Sequence, residues 1–365
     1  MYNTITFYKF VKINPDKIRD IILEKCKELN ILGRILIGKE GINGGICSDN
    51  KSIEKFKKWL KTIKEFNDIT FRELESDKNT YHKLVVRVRK EIVVLGKEVD
   101  MKNKADYITP AQLNKLYEKN EDFIILDTRN KYEADVGKFR NAKIMDIKTF
   151  KQFPDELKKL KKEISNKKII TYCTGGIRCE KATAYMKQIG INNVLQLKGG
   201  VIDYMNKYPN KYWEGGLFVF DDRLVTKTAN PLTECKHCGK KCETYINCHN
   251  LNCDKLFICC DKCRKMMNSC CSNKCKQSPR QRKPKYIKIG IIKNYYGKNK
   301  VAFAEIEHEI IIGTEIKIKG KTTDFIQKIR SIKDEKGQNV KSAKGLITFK
   351  VDYKTRKNDQ IMISP

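Results

Sequence analysis

The sharpest chemical signal in the sequence is Cys173, set in the run Thr171-Tyr172-Cys173-Thr174-Gly175-Gly176-Ile177-Arg178-Cys179-Glu180. An apolar, strand-like stretch precedes it and a helical pattern follows. A loop between a strand end and a helix N-terminus turns successive backbone N–H groups inward, and the helix adds its positive dipole end. Gly175 and Gly176 let the backbone curl around a sulfur, and Arg178 is expected to set a positive charge at the rim. These features favour thiolate over thiol. The pattern therefore predicts a nucleophilic Cys173 near neutral pH, with Arg178 as its electrostatic partner. The competing reading, a cysteine packed as a small hydrophobe, does not account for the Gly-Gly-Arg that follows. Cys179 either resolves a sulfenic acid or persulfide on Cys173 or points inward from the first helical turn.

A second chemistry lies further on. Cys235-x2-Cys238, Cys242, Cys248-x4-Cys253, Cys259, Cys260-x2-Cys263, Cys270, Cys271 and Cys275 fall within a short stretch that holds eleven of the fifteen cysteines. Two C-x2-C knuckles separated by a loop signal zinc, because each knuckle presents two thiolates to one tetrahedral ion. Eleven cysteines exceed one four-ligand site, so two structural zinc ions are expected. Their ligands are drawn from Cys235, Cys238, Cys242, Cys248, Cys253, Cys260, Cys263, Cys270, Cys271 and Cys275, with the pairing open. A segment this poor in apolar residues needs metal to fold. Lys236, Lys240, Lys241, Lys262, Arg264 and Lys265 are either RNA contacts or ordinary surface charge.

Four regions position these groups. Residues 1–98 alternate strands near 5–11, 33–38, 45–48, 70–74 and 84–95 with helices at 15–29 and 51–63, a pattern that suits a small α+β, ferredoxin-like domain with two helices on a four-strand sheet. Glu40 to Gly45 reads as turn chemistry. Residues 105–215 alternate apolar runs at 123–126, 168–172 and 193–197 with helical stretches at 109–119, 154–163 and 180–189, predicting an α/β domain with a mostly parallel sheet. Residues 216–278 form the cysteine-rich segment, which ends in a basic, proline-punctuated linker. Residues 286–365 are β-rich, with short strands at 287–292, 301–305, 310–312, 315–318 and 346–351 separated by turn residues, and suit a small barrel.

Composition bounds the partners. Lys and Arg total 76 against 44 Asp and Glu, a formal net charge of +32 in 365 residues. That favours a polyanion, nucleic acid before an anionic membrane surface, although Lys, Asn and Ile enrichment throughout the chain would itself raise the charge. Arg87 and Arg89, alternating with Val86 and Val88 along a strand, and Lys90 after them are either a phosphate-binding face or a solvated one, and Asn43 would contact RNA if its domain faces Cys173. No apolar run approaches the length of a membrane span and no secretory leader is visible. A reduced, cytoplasmic protein is expected, in which cysteines serve metal or catalysis. A non-haem iron site would need two His and a carboxylate. The histidines, His82, His237, His249 and His308, lie outside residues 105–215. No Gly-rich dinucleotide fingerprint supports a bound flavin or nicotinamide.

Cys173 to Arg178 resembles the six-residue active-site loop of rhodanese domains. Asp127-Thr128-Arg129 and the pair Gly199-Gly200 fit the same superfamily, while Lys138 after Gly137 stands where many rhodaneses have His. The resemblance narrows further. Glu40-Gly41-Ile42-Asn43-Gly44, Asp127 to Asn130 with Tyr132-Glu133, Tyr172 to Lys181, and Phe218-Val219-Phe220-Asp221-Asp222-Arg223 together look like the oxygen-dependent tRNA uridine hydroxylases. That resemblance covers about residues 1–278. It implies tRNA as partner, with no DNA or membrane, molecular oxygen as co-substrate, and Cys173 as the cysteine that acts on the wobble uridine to give 5-hydroxyuridine. Gly313 to Gly320, Thr323-Asp324-Phe325 and Asn358-Asp359 resemble the C-terminal barrel of the collagenase-like peptidase family, itself similar to a domain of translation elongation factors.

Three functions stay open on the residues. Cys173 serves uridine hydroxylation, or it carries a persulfide as a sulfurtransferase, or an inert rhodanese-like domain accompanies a zinc-and-barrel RNA-binding protein. The intact Cys173 and Arg178 argue against the third.

Overall fold

The computed structural model describes residues 2–209, 211–282 and 286–363. The chain divides into two compact bodies. One comprises residues 1–248 and 253–277, the other 249–252 and 278–365.

The first body begins with strand β1 (Tyr2–Phe10), helix α1 (Pro15–Glu28), β2 (Leu32–Gly38), β3 (Gly41–Asp49), α2 (Asn50–Thr62), β4 (Thr70–Ser76) and β5 (Leu84–Val88). Asn14 and Asp49 cap the two helices, each accepting a backbone N–H from the first turn. The strands order as β4-β1-β3-β2-β5, antiparallel except that β5 runs parallel to β2. This is the expected ferredoxin-like plan with a fifth strand at the edge. Ile5 and Phe7 of β1 face the helices and join a core with Ile22, Ile35, Ile46, Phe56 and Phe66. By the two-residue period of a strand, Thr4, Thr6 and Tyr8 face the other way.

Two sequence expectations change here. The strand expected over 84–95 stops at Val88, because Ile92 is captured off the sheet: Asn43 Nδ2 donates to its carbonyl at 2.9 Å and its own N–H donates to Glu40 Oε1 at 2.7 Å. Asn43 thereby holds the segment after β5 against the β2–β3 turn. The turn expected over Glu40 to Gly45 is only Lys39-Glu40, since Gly38 pairs with Gly41. The glycines beyond it are strand residues that permit close approach. A Cβ on Gly41, at φ +135°, would sit 1.9 Å from the Lys9 carbonyl, and one on Gly44 would sit 2.4 Å from the Phe7 ring.

The α/β portion follows with β6 (Tyr107–Ile108), α3 (Pro110–Glu118), β7 (Ile124–Asp127), α4 (Lys131–Val136), β8 (Gly137–Phe139), β9 (Lys143–Ile144), α5 (Phe153–Ile164), β10 (Ile169–Tyr172), α6 (Ile177–Gln188), β11 (Val194–Leu197), α7 (Gly200–Lys207) and β12 (Trp213–Gly215). The parallel sheet runs β6-β11-β10-β7-β9, which makes β10 its centre. Apolar clusters cover both faces of this sheet, as its nearly continuous apolar strands require. The loop after β10 therefore opens at the carboxyl edge of the sheet, where α/β folds place their sites.

The cysteine-rich segment adds a small hairpin, β13 (Tyr245–Asn247) and β14 (Leu256–Ile258), and the short helices α8 (Asp261–Met266) and α9 (Asn273–Lys276). Its interior is mostly cysteine, with Phe257.

The second body is an antiparallel sheet of β15 (Ile287–Tyr296), β16 (Val301–Ile311), β17 (Glu315–Lys319), β18 (Asp324–Lys328), β19 (Ile332–Lys333), β20 (Asn339–Val340), β21 (Ser342–Lys350) and β22 (Gln360–Ile363), wrapped on an isoleucine-rich core. Of the strands absent from the sequence reading, β18, β19 and β20 are short and at least half polar, and β22 is a run of only four residues. Among the described residues no helix is long and apolar enough to cross a membrane.

Candidate active site and metal-binding cysteines

Asp127 and Arg129 build the floor. Their ion pair is fully buried, with Arg129 Nη2 on Asp127 Oδ2 at 2.6 Å. Asp127 also accepts from the Tyr172 hydroxyl at 2.7 Å, and Thr128 donates to the Tyr172 carbonyl. These bonds tie the ends of β7 and β10 together, so the next residue, Cys173, leaves the sheet in a fixed direction. Arg129 spends its remaining donors on the carbonyls of Glu133 and Gly137.

Cys173 then sits in a closed cradle. Gly176, at φ +99°, starts α6, and its N–H donates to Cys173 Sγ at 3.1 Å. The α7 glycine Gly200, at φ +66°, packs beneath: a Cβ there would lie 2.5 Å from the Cys173 carbonyl. Burial pushes the Cys173 thiol up. The Cys179 thiol, the Arg178 charge and the backbone N–H groups of Cys179 and Arg178 outweigh it, and Cys173 titrates at about 6. Cys179 moves the opposite way: burial first, then its hydrogen bond to Cys173, pushes its thiol well up. The pair is thus a thiolate acceptor and a thiol donor. Cys179 does point inward from the first turn of α6, as one of the two sequence readings expects.

Arg178 departs from expectation. It is not a rim charge. It is buried, with Nη1 and Nη2 on the two carboxylate oxygens of Glu133 at 2.6 and 2.7 Å. Thr174 completes the network, and the exposed Phe220 ring covers the guanidinium at 5.6 Å. A free guanidinium at that depth would carry a large desolvation cost, which the Glu133 partner offsets.

The N-terminal sheet forms the roof. Tyr8 donates to Glu180 at 3.0 Å, Arg72 Nε donates to the Gly199 carbonyl at 3.0 Å, and Lys181 pairs with Glu40 and Glu91 at 2.9 and 2.8 Å. A Cβ on Gly175 would lie 3.7 Å from Arg72 Cδ and 3.8 Å from Thr6 Oγ1. Under this roof Cys173 has no exposed surface. Asp221-Asp222-Arg223 braces the same junction: Arg223 pairs with Asp221 and donates to the Glu75 carbonyl, and the Asp222 N–H donates to the Thr80 carbonyl.

The cysteine-rich segment sorts into two sets. Cys235, Cys238, Cys260 and Cys263 bring their sulfurs within 4.8 Å of one another, and so do Cys248, Cys253, Cys271 and Cys275. Each set joins two pairs distant in sequence, and the two sets interleave along the chain. Each could hold one metal ion.

Relatives in sequence decide the family. Residues 2–92 match the model of the UPF0176 acylphosphatase like domain, 109–207 the rhodanese-like domain and 214–276 the rhodanase C-terminal model. The tRNA uridine(34) hydroxylase of Chlamydia felis is 37% identical over 290 residues, covering 77% of this chain and 89% of that protein. That of Chlamydia trachomatis serovar D is 38% identical over 292 residues, covering 77% and 88%. The chain belongs to the tRNA uridine(34) hydroxylase family. Among solved structures, a Staphylococcus aureus rhodanese-like domain protein is similar at 25% identity, covering 30% of this chain and 96% of that one, with a TM-score of 0.25. The C-terminal domain of a Geobacillus thermoleovorans U32 peptidase is similar at 22% identity, covering 21% and 90%, with a TM-score of 0.20.

In this member of the hydroxylase family, Cys242 and Cys270, expected as ligands, stand outside both sulfur sets. Cys242 packs as an apolar side chain between the cysteine cluster and the cluster of Val136, Phe218 and Tyr245. Cys270 turns its sulfur to the Asn268 carbonyl, and Cys259 turns its own to the Cys260 carbonyl. The residues that sequence reasoning missed are Thr6, Tyr8 and Arg72. One signal was available: Arg72 and Leu74 share a face of β4, and an arginine beside an apolar residue on one strand face marks a covered surface.

Proposed function

We propose that this chain hydroxylates uridine 34 of tRNA at C5, with molecular oxygen as co-substrate and Cys173 as the nucleophile. The observation that carries the reading is the Cys173 cradle. A thiolate titrating at about 6 lies at the carboxyl edge of a parallel sheet, in a chain that spans 89% of a relative named for that activity. In this reading Cys173 adds to the uracil ring and Arg178 holds the thiolate through its charge. The N-terminal domain (1–98) roofs the rhodanese-like catalytic domain (105–215), the zinc segment (216–278) adds to the surface that body offers to tRNA, and the barrel (286–365) adds RNA contacts as a body of its own. The formal charge of +32 suits that polyanion. A tRNA substrate suits a cytoplasmic protein, and the reading calls for neither DNA nor membrane as a partner.

Zinc suits the two sulfur sets. A zinc–thiolate bond of about 2.3 Å in a tetrahedron gives sulfur–sulfur edges of about 3.8 Å. Cys238–Cys260, Cys253–Cys271 and Cys271–Cys275 each stand 3.7 Å apart, far beyond a disulfide bond. When bound, zinc would act here as a closed structural centre. The residues that hold it would be Cys235, Cys238, Cys260 and Cys263 in one set and Cys248, Cys253, Cys271 and Cys275 in the other.

The test is nucleoside mass spectrometry of tRNA from a host that lacks wobble-uridine hydroxylation. The host expresses the chain or its Cys173→Ser variant in the presence of oxygen. 5-Hydroxyuridine appearing only with Cys173 intact supports the reading. Thiolated nucleosides, or thiosulfate sulfurtransfer, in its place would give the cradle to persulfide chemistry.

A further inference from the structure

The roof over Cys173 holds two polar atoms that its own structure leaves without partners. Arg72 is 92% buried, at 8% exposure. Its Nε is used on Gly199, but Nη1 has no hydrogen-bond partner. Thr6 Oγ1 is likewise buried and unpartnered. The two residues face each other directly in the β1–β4 ladder, and both lie within 4 Å of where a Gly175 Cβ would be, two residues from the nucleophile. Buried polar groups are nearly always satisfied, and a catalytic role or a missing ligand is one reason for an exception. Tyr8 stacks under the Arg72 guanidinium at 5.0 Å and so limits its movement.

We propose that Arg72 and Thr6 read the O4/N3 edge of the uracil, Arg72 donating to O4 and Thr6 accepting from N3–H. This rests on the hydroxylase reading and adds a specificity-determining pair that comes from the other domain. Addition of the thiolate forms a bond from Cys173 Sγ to C6 and breaks the C5=C6 π bond. That pair moves to form C4=C5, and the carbonyl pair of C4 settles on O4 as an enolate oxyanion. A guanidinium donor at O4 gains strength as the charge develops, which is how a fixed donor lowers a barrier. Cytosine offers an amino donor at C4, so it meets Arg72 donor to donor; the Thr6 hydroxyl can turn and donate to the unprotonated N3, so the discrimination falls to Arg72. The ring enters once the β1–β4 face and the cysteine loop part.

The experiment uses the full-length holoprotein and tRNA carrying 5-fluorouridine at position 34, without oxygen, so that ring addition is read alone. Fluorine at C5 makes C6 more electrophilic, and once a solvent proton has added at C5 the saturated adduct reverses only by losing that proton, so the Cys173 adduct accumulates for mass spectrometry. Unmodified protein is expected to form the adduct. Arg72→Gln is expected to slow it by about 100-fold or more while tRNA binding changes by less than about threefold. Thr6→Val, an isosteric change on a strand that should not disturb folding, is expected to slow it by about tenfold. Adduct formation at the unmodified rate in both variants overturns the proposal. So does a loss in Arg72→Gln that lies wholly in tRNA binding. Hydroxylation by unmodified protein without any adduct would overturn ring addition by Cys173 and this proposal with it, while leaving uridine hydroxylation by the chain standing. Absence of both hydroxylation and adduct would overturn the hydroxylase reading and the proposal together.

Discussion

Arg178 and Glu133 meet through both terminal guanidinium nitrogens and both carboxylate oxygens, at 2.6 and 2.7 Å, with the Glu133 side chain fully buried and that of Arg178 nearly so. The pair links the first turn of α6 to the first turn of α4, so it anchors the cysteine loop to the strand–helix junction beside it. Glu133→Gln would leave the buried guanidinium charge without its counter-charge. An expected loss of about 3 kcal/mol in unfolding free energy follows, to be measured by urea denaturation. Arg178→Met in the Glu133→Gln background should cost less than the sum of the two single changes, because no unpaired charge then remains.

The Cys173 thiol titrates at about 6, held down against burial by Cys179, Arg178 and two backbone N–H groups. The reactive form is the thiolate, so kcat/KM should rise with pH, reach half its plateau near 6 and stay level through neutrality. Removing the thiol donor with Cys179→Ala takes away one of the lowering influences and should move that midpoint upward. A midpoint unchanged in Cys179→Ala would show that the neighbouring thiol does not stabilise the thiolate.

The two sulfur sets make different demands on single substitutions. Cys238→Ser and Cys253→Ser, one from each set, should each lower bound zinc by about one ion per chain, against about two for the unmodified protein. Cys242→Ser and Cys270→Ser should retain both ions. Elemental analysis of purified protein decides this, and prolonged chelation should unfold the segment, since its interior is largely cysteine.

Gly41 has a backbone and a neighbour that both exclude a side chain: φ is +135° and the Lys9 carbonyl stands 1.9 Å from a built Cβ. Gly41→Ala should destabilise the N-terminal sheet by at least about 2 kcal/mol. Since the same sheet roofs Cys173, alkylation of Cys173 by iodoacetamide should become faster in this variant. A melting temperature and an alkylation rate equal to those of the unmodified protein would contradict the close-approach role.

Much of this protein is decided by short stretches of chain. The alternation of apolar strands and helices in residues 105–215 needs only local periodicity. The cradle around Cys173 is built mostly from amides within six residues of the sulfur, and each C-x2-C knuckle is a local loop. Tertiary structure decided the rest, because the partners lie far apart in the chain. Arg178 was expected at the rim, and only Glu133, brought alongside by α4, buries it. Ten cysteines were candidate ligands, and the grouping of 235 and 238 with 260 and 263 depends on which loops cross. The glycines after Glu40 read as a turn, whereas the packing of Phe7 and Lys9 against them makes them strand residues. For Thr6 and Arg72 the local sign goes no further than a covered strand face. A strand alternation shows that a side chain faces away from its own core, and only the domain packed on that face shows that it faces a thiolate.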